Sequence, residues 1–324
     1  MQILVLNCGS SSVKAAVLSM PDGHILLEVM VERIHQAPVC QFSDGSTLSD
    51  LPTGHEAALK VLLPAILQKL PVGQLDGIGH RVVHGGEYFD RATRITPSVI
   101  ERIASLNELA PLHNPVNVVG IQIAQEIFPE LLHVAVFDTA FHRTLPKRAQ
   151  LYALPIELTE KYQLKRYGFH GTSHEYVAKQ AAKAMGMDLR DLKLIACHLG
   201  GGCSISAIEY GRSVETSMGM TPLEGLVMGT RPGDLDPGIL MFLQEKEGWS
   251  VEELNEVLNK KSGLKGLSGA SSDMRDILDR AAQGDEHARM AIQVFTHRVR
   301  KYIGAYAAMM GGVDGIIFTG GIGE

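Results

Sequence analysis

Cysteine is scarce in this 324-residue chain, and its four copies, Cys8, Cys40, Cys197 and Cys203, show no framework spacing. A disulfide-stapled scaffold is thereby excluded, and the thiols read as the reduced ones of a cytoplasmic protein. Basic stripes and tails are missing too. With 30 Lys and Arg against 36 Asp and Glu the formal charge is −6, which argues against nucleic acid as a partner. No apolar run approaches the roughly 20 residues that span a bilayer, and the apolar N-terminus has no basic leader and is broken over residues 7–12, so no membrane contact is expected. No His-x-x-x-His or Cys-x-x-Cys arrangement offers usable zinc geometry, and neither a short-period repeat nor a low-complexity segment is present. What remains is ordinary in bulk. Hydrophobic residues at 45% and charged residues at 20% exclude disordered and collagen-like classes, and the length suits about two domains.

Against that background two distant stretches are alike. Ile3-Leu4-Val5-Leu6-Asn7-Cys8-Gly9-Ser10-Ser11-Ser12-Val13-Lys14-Ala15 and Leu194-Ile195-Ala196-Cys197-His198-Leu199-Gly200-Gly201-Gly202-Cys203-Ser204-Ile205-Ser206-Ala207 each give an apolar strand, a polar residue, a Gly/Ser turn and a second strand. They align if one residue is inserted in the second turn. A Gly/Ser turn between strands leaves backbone N–H groups unobstructed by Cβ atoms, which suits an anionic oxygen. Two such turns in one chain suggest two related halves gripping one polyphosphate.

Elsewhere strand and helix signals alternate, as in an α/β protein. Strands are expected over residues 2–6, 13–18, 25–31, 77–83 and 133–137, and helices over 97–109 and 116–127, the first with Thr96 as N-cap and Pro97 at its first position. After a connection around residues 145–150 the pattern restarts. Ser173 is expected to cap a helix over 174–185, strands follow at 193–197 and 204–208, Ser250 caps a helix over 251–259, and a long helix covers 286–310 with Ala291, Val294, Phe295, Val299, Tyr302, Ile303 and Tyr306 as a core stripe. Residues 314–319 give a buried-strand signal followed by a glycine turn of the kind that launches a helix. A folded domain rarely finishes there, so a longer chain is expected.

Several residue types carry chemistry. Arg81, in His80-Arg81-Val82-Val83-His84-Gly85-Gly86, ends a strand where open α/β sheets place ligands, which favours anion binding over a surface ion pair. Arg231, in Met228-Gly229-Thr230-Arg231-Pro232-Gly233-Asp234, lies in a loop that frees its side chain, and two arginines from separate loops suit a phosphoryl group in transfer. Asp138 after the strand 133–137 is either a cap for the next turn or a group that holds magnesium or orients a reactant. His170, in Gly168-Phe169-His170-Gly171, is either satisfied structure or catalytic. Ser271-Ser272-Asp273-Met274-Arg275-Asp276 reads first as a helix start with serine as N-cap, and alternatively as Asp273 and Arg275 reaching a nucleotide.

Together these segments, with Pro111-Leu112-His113-Asn114-Pro115, Val136-Phe137-Asp138-Thr139-Ala140-Phe141-His142 and Thr319-Gly320-Gly321-Ile322-Gly323-Glu324, closely resemble the acetate kinase family, within the superfamily of actin, hexokinase and the heat-shock chaperone ATPases. The resemblance implies two duplicated ribonuclease-H-like, actin-like ATPase domains with a cleft between them: residues 1–142, lacking a final helix, and 143–324, which binds nucleotide and dimerises. It implies reversible transfer of a phosphoryl group from ATP to acetate, giving acetyl phosphate and ADP. Asn7 would contact magnesium or manganese, and Lys14, Ser10 and Ser12 would lie near the phosphates. His198, Leu199, Gly200, Gly201 and Gly202, with Asp273, Met274 and Arg275 and with Gly321, Ile322, Gly323 and Glu324, would hold the nucleotide. Arg81 would bind the acceptor carboxylate, Val83, Leu112, Phe169 and Pro222 would form its small apolar pocket, Asp138 would be the catalytic acid, and His170 and Arg231 would stabilise the transition state. The family is typically a homodimer.

The residue types suit that chemistry. A short carboxylic acid is already ionised near neutral pH, so its in-line attack on the γ-phosphoryl needs no strong base, and Asp138 is expected to orient groups or metal rather than abstract a proton. Val83 is bulky enough to favour acetate over propionate, the alternative substrate, and a chaperone-like ATPase switch would need no carboxylate site. Two departures stand out. Gly201 replaces the asparagine usual in the family's His-Leu-Gly-Asn-Gly, and the family extends some tens of residues further, with a magnesium-binding glutamate and a last helix. A protein ending at Glu324 is expected to have weak or absent kinase activity and an incompletely covered N-terminal sheet.

Overall fold

Strict alternation builds the first strand. In β1 (Gln2–Cys8) Leu4, Leu6 and Cys8 are buried while Val5, on the other face, is exposed, as the pleat requires. The computed structural model describes residues 1–70 and 74–324 and falls into two units, Met1–Ala140 and Phe141–Glu324.

In the first unit β1 pairs antiparallel with β2 (Val13–Ser19), β2 with β3 (His24–Glu32), β3 with β4 (Val39–Phe42) and β4 with β5 (Thr47–Leu48). The helix α1 (His55–Lys69) then leads to β6 (Gly77–Val82), which lies parallel to β1 on its free side. Next come β7 (Thr93–Arg94), α2 (Pro97–Ala104), α3 (Asn114–Ile127) and β8 (Leu132–Phe137), and β8 pairs parallel with β6 and antiparallel with β7. The sheet order is β5-β4-β3-β2-β1-β6-β8-β7. Leu59, Leu62, Leu63 and Ile66 of α1 form a stripe buried with Leu4, Leu6 and Val17 of the sheet. Pro64 inside α1 masks this helix in the sequence, because proline opposes a helix interior.

The second unit repeats the plan. After α4 (Lys147–Gln150), α5 (Ile156–Tyr162) and α6 (Gly171–Met185), β9 (Lys193–Leu199), β10 (Cys203–Glu209) and β11 (Arg212–Thr216) form an antiparallel meander. Then α7 (Pro237–Glu247), α8 (Val251–Glu256), α9 (Gly263–Ser268), α10 (Met274–Ala282) and α11 (Glu286–Met310) precede β12 (Gly315–Thr319), which lies parallel to β9. The order β11-β10-β9-β12 reproduces β3-β2-β1-β6 with the same strand directions. The expected one-residue difference is there. The last pair of the first hairpin is Cys8 with Val13, leaving four residues in the turn, and that of the second is Leu199 with Cys203, leaving three. All four thiols are free and buried, and burial pushes Cys8 and Cys197 up to about 12.

Several local expectations are corrected. α6 starts three residues early, with His170 rather than Ser173 at its N-cap, and the Ser173 hydroxyl turns to His198 Nδ1 at 2.8 Å. Asp273, not a serine, caps α10, accepting from the Arg275 amide. The helix from Pro97 ends at Ala104, where the Ser105 hydroxyl donates to the Arg102 carbonyl and the chain enters tight turns. Ser250 does form a capping box with Glu253, yet α8 gives way to a π-turn over Val257–Lys261. The long helix runs over 286–310 as expected, though Val294, Tyr302 and Ile303 are only part-buried and Tyr302 donates to the Asp234 carboxylate. The strand expected to be buried, β12, bonds β9 alone and leaves Ile316 42% and Phe318 51% exposed.

Close approach of α3 to β1 depends on Gly120, where a Cβ would stand 2.6 Å from Cys8 Sγ. Gly120→Ala should therefore cost about 1–3 kcal/mol of stability. Adding Cys8→Ala, which removes the sulfur, should recover most of that loss in urea denaturation. Equal destabilisation with and without Cys8 would contradict the contact.

Candidate functional site

Both hairpin turns have their carbonyls occupied. In the first, the Gly9 carbonyl accepts from His55 Nε2 at 2.7 Å, Ser10 from His35 Nε2 at 3.0 Å, Ser11 from the Ile34 amide at 3.1 Å and Ser12 from the Gly9 amide at 2.8 Å. The amides of Ser10, Ser11 and Ser12 donate to no acceptor among the described residues. In the second, the Gly200 carbonyl accepts from the Cys203 thiol at 3.1 Å, Gly201 from the Gly229 amide at 3.0 Å and Gly202 from the Gly200 amide at 3.2 Å, while the amides of Gly201 and Gly202 have no acceptor among the described residues. Burial pushes the Cys203 thiol up to about 11, so the donating proton stays. A turn with bonded carbonyls and free amides is a nest for an anion.

Beside the first turn the carboxyl ends of the parallel strands converge. Arg81 at the end of β6 meets Asp138, just past β8, in a two-pronged contact: Nε donates to Oδ1 at 2.9 Å and Nη2 to Oδ2 at 2.6 Å. Asp138 is 2% exposed, and its charge raises Arg81 above the usual arginine value. The third arm, Nη1, reaches Asn7 Oδ1 at 3.3 Å from the end of β1. Lys14, opposite Asn7 in the hairpin, is exposed. The flanking His80 faces the core instead, bonded to His133, and burial holds it down to about 3 and neutral. Val83 is buried, its amide held by Asn117 Oδ1, whereas Leu112 is 44% exposed.

Beside the second turn stand four imidazoles and an arginine. The His170 and His198 ring centroids are 4.3 Å apart, and His174 and His142 pack behind. Phe169 is buried, its carbonyl 3.0 Å from His142 Nε2. Arg231 donates to the Pro222 carbonyl at 2.5 Å, and its Nη2 lies 2.8 Å from where a Gly202 Cβ would be. No carboxylate among the described residues pairs with it, and desolvation lowers its proton affinity. A half-buried guanidinium without a counter-ion is itself an anion site. The second turn also borders a cavity of about 420 Å³ lined by Leu199, Met274, Phe295, Ile303, Ile322 and Gly323, mostly apolar and of a size for a small planar ligand. The turn after β12 is tied to it, the Ile322 amide donating to the Leu199 carbonyl at 2.8 Å. At its edge Asp273 grips Arg275 with both oxygens, which holds its carboxyl at about 2, and both side chains are exposed. Gly321 and Glu324 belong to the same terminal turn.

The Acetokinase family model matches residues 2–324. The chain belongs to the acetokinase family. It is 50% identical to the acetate kinase of Thermotoga maritima, with all of this chain and 83% of that protein aligned. Among solved structures, acetate kinase from Porphyromonas gingivalis superposes with a TM-score of 0.91 at 44% identity, and a propionate kinase from Francisella tularensis with 0.94 at 44%, each over all of this chain and 84% of the other. The fold is thus that of the acetokinase structures, with its two duplicated halves.

Within this acetokinase chain the first unit brings together Asn7, Ser10, Ser12, Lys14, Arg81 and Asp138, and the second His170, His198, the glycine turn, Arg231 and Pro222, with Leu199, Met274, Ile322 and Gly323 around the cavity. Sequence reasoning missed His35 and His55, which hold the first turn from a distant segment, and Ser204 and His174 behind His170. No local pattern marks them, because their partners are far away in sequence. For an oxygen-seeking cation, Asn7 offers one neutral oxygen, which already accepts from Arg81 Nη1, Arg81 also takes both oxygens of Asp138, and no group of three or more His, Cys, Asp or Glu side chains suited to a metal exists among the described residues. That set fits magnesium arriving with nucleotide phosphates, not a cage made by protein.

Nothing lies within 4 Å of a Cβ at Gly201, so Gly201→Asn should leave stability within about 0.5 kcal/mol. Gly202→Ala should push the Arg231 guanidinium aside and weaken ATP binding about tenfold, roughly one charge-assisted hydrogen bond. Thermal unfolding and calorimetric ATP titration read both. Equal losses at the two glycines would contradict the geometry.

Proposed function

We propose that this chain transfers the γ-phosphoryl group of ATP to acetate, reversibly and by direct in-line displacement. The observation that carries this reading is the surplus of donors: among the described residues, five turn amides and the Arg231 guanidinium have no protein anion to satisfy them. Such an array supports a ligand with charge on several oxygens, as a transferring phosphoryl group has.

The residues divide the work accordingly. Ser10, Ser11, Ser12 and Lys14 hold phosphates from the first unit, and Gly201 and Gly202 from the second, with the base and sugar in the cavity beside Met274 and Ile322, and Asp273, Arg275, Gly321 and Glu324 at its edge. Arg81 binds the acceptor carboxylate. Its fork is locked by Asp138, whose two oxygens are both engaged, which supports an orienting role and not proton abstraction. Asn7 would hold magnesium, which when bound offsets triphosphate charge. His170 and Arg231 donate to the phosphoryl oxygens as charge moves in the transition state. Val83 and Leu112 of the first unit and Phe169 and Pro222 of the second are the residues assigned to contact with the acyl methyl, and the likeness to a propionate kinase keeps propionate as a second acceptor, since one methylene discriminates by only about 1–3 kcal/mol. The protein acts as a homodimer, a reading supported by α7, which has no buried residue yet exposes Ile239, Met241 and Phe242, and in the cytoplasm, a reading supported by its free cysteines. Among the described residues no helix is long and apolar enough to cross a membrane.

Hydroxylamine trapping of the acyl phosphate is the test, with acetate, propionate and butyrate compared. Hydroxamate should form with acetate most readily. Asp138→Asn should cut its rate by about 100-fold or more while leaving ATP affinity nearly intact. ATP hydrolysis without hydroxamate would replace this reading with an ATPase switch, and undiminished turnover in Asp138→Asn would remove the role given to that carboxylate.

A further inference from the structure

Ser204 of β10 is fully buried between two imidazoles, its Oγ 3.0 Å from His170 Nδ1 and 2.7 Å from His174 Nε2. A hydroxyl has one proton to give, so at most one ring receives it. His174 decides which. It is fully buried, and desolvation beside His142 and His198 holds it well below the ordinary histidine range, so it carries a single ring proton. Its Nδ1 has no hydrogen-bond partner among the described residues. A proton on Nδ1 would leave a buried N–H unmet, whereas a proton on Nε2 leaves only a lone pair unmet, and orphaned buried N–H groups are the rarer of the two. His174 Nε2–H therefore donates to Ser204. The Ser204 hydroxyl, with no other acceptor among the described residues, donates in turn to His170 Nδ1.

We infer that Ser204 and His174 are positioning residues that fix His170 as its Nε2–H tautomer, with the donor edge turned toward Gly202. His170 Cε1 and Nε2 lie 3.5 and 3.6 Å from the place a Gly202 Cβ would occupy. His170 also sits in the left-handed region at φ 58°, which a residue with a side chain keeps only where its surroundings hold it. The functional consequence rests on the phosphoryl site proposed above. The wrong tautomer would aim a lone pair, not a proton, at an anionic oxygen.

Long-range proton–nitrogen spectra of 15N-histidine-labelled protein, with the His170 signals assigned through His170→Gln, report which ring nitrogen carries the proton. In the unliganded wild type His170 should be protonated at Nε2 and bare at Nδ1. Ser204→Ala should mix the two tautomers and lower kcat roughly tenfold or more, the scale of partners that orient an active side chain from behind, with KM for ATP and acetate within about twofold. His174→Gln, whose amide still donates to Ser204, should keep the wild-type tautomer. A wild-type His170 protonated at Nδ1 overturns the inference, as does Ser204→Ala with an unaltered tautomer. The spectra need no substrate, so a wild-type protein that forms no acyl phosphate would remove the functional reading while leaving the tautomer assignment standing.

Discussion

The constraint on which the rest depends is that every carbonyl of the two hairpin turns is already bonded. A glycine- or serine-rich turn offers carbonyls as readily as amides, and carbonyl oxygens repel an anion. Here Gly9, Ser10, Ser11 and Ser12 give their oxygens to His55, His35, Ile34 and Gly9, and Gly200, Gly201 and Gly202 give theirs to Cys203, Gly229 and Gly200. The amides are what remains. Their orientation is set in advance by backbone and side chains on neighbouring segments, so a bound phosphate would require little reorganisation, which is the condition for effective electrostatic stabilisation.

The same sheet plan serves both turns and then diverges. Each unit runs an antiparallel meander from the turn strands and adds a parallel strand on the far side of the first. In the first unit that strand, β6, carries Arg81 one residue before its end, so a cation arrives beside Asn7 and is locked by Asp138 just past the next parallel strand. In the second the equivalent strand, β12, ends on a bare glycine turn next to an apolar cavity. One copy of the plan thus supplies charged side chains, and the other supplies backbone amides and a hydrophobic recess. The second copy recovers its charge from outside the sheet, through Arg231 on a loop, with the imidazole of His170 and the neutral imidazole of His174 at the start of α6 beside it.

Much of this was legible where the chemistry is local. Apolar runs located β1, β2, β9 and β10, the Gly/Ser turns marked themselves, and the duplication was visible down to the extra residue in the first turn. Cap chemistry found Thr96 and Ser250 but failed at Ser173 and at Ser271, because a serine hydroxyl bonds a nearby side chain as readily as a helix amide: Ser173 turns to His198, and Ser271 to Asp276. α1 stayed hidden behind Pro64, and β4, β5 and β11 are too short for periodicity to show. The apolar β12 reads as buried because composition does not report how many neighbours a strand has. At the site, Arg81 and Asp138 each stood out singly, but their pairing across 57 residues is a property of adjacent parallel strands. The histidines behind the turns left no mark at all.

Backbone amide spectra of the 15N-labelled protein during titration with magnesium ATP test the central claim most directly. The amides of Ser10, Ser11, Ser12, Gly201 and Gly202, unbonded in the free protein, should shift strongly downfield together as nucleotide binds, while those of Gly9 and Gly200, already bonded within their turns, move little. Saturable ATP binding that leaves the five free amides unshifted would contradict the account.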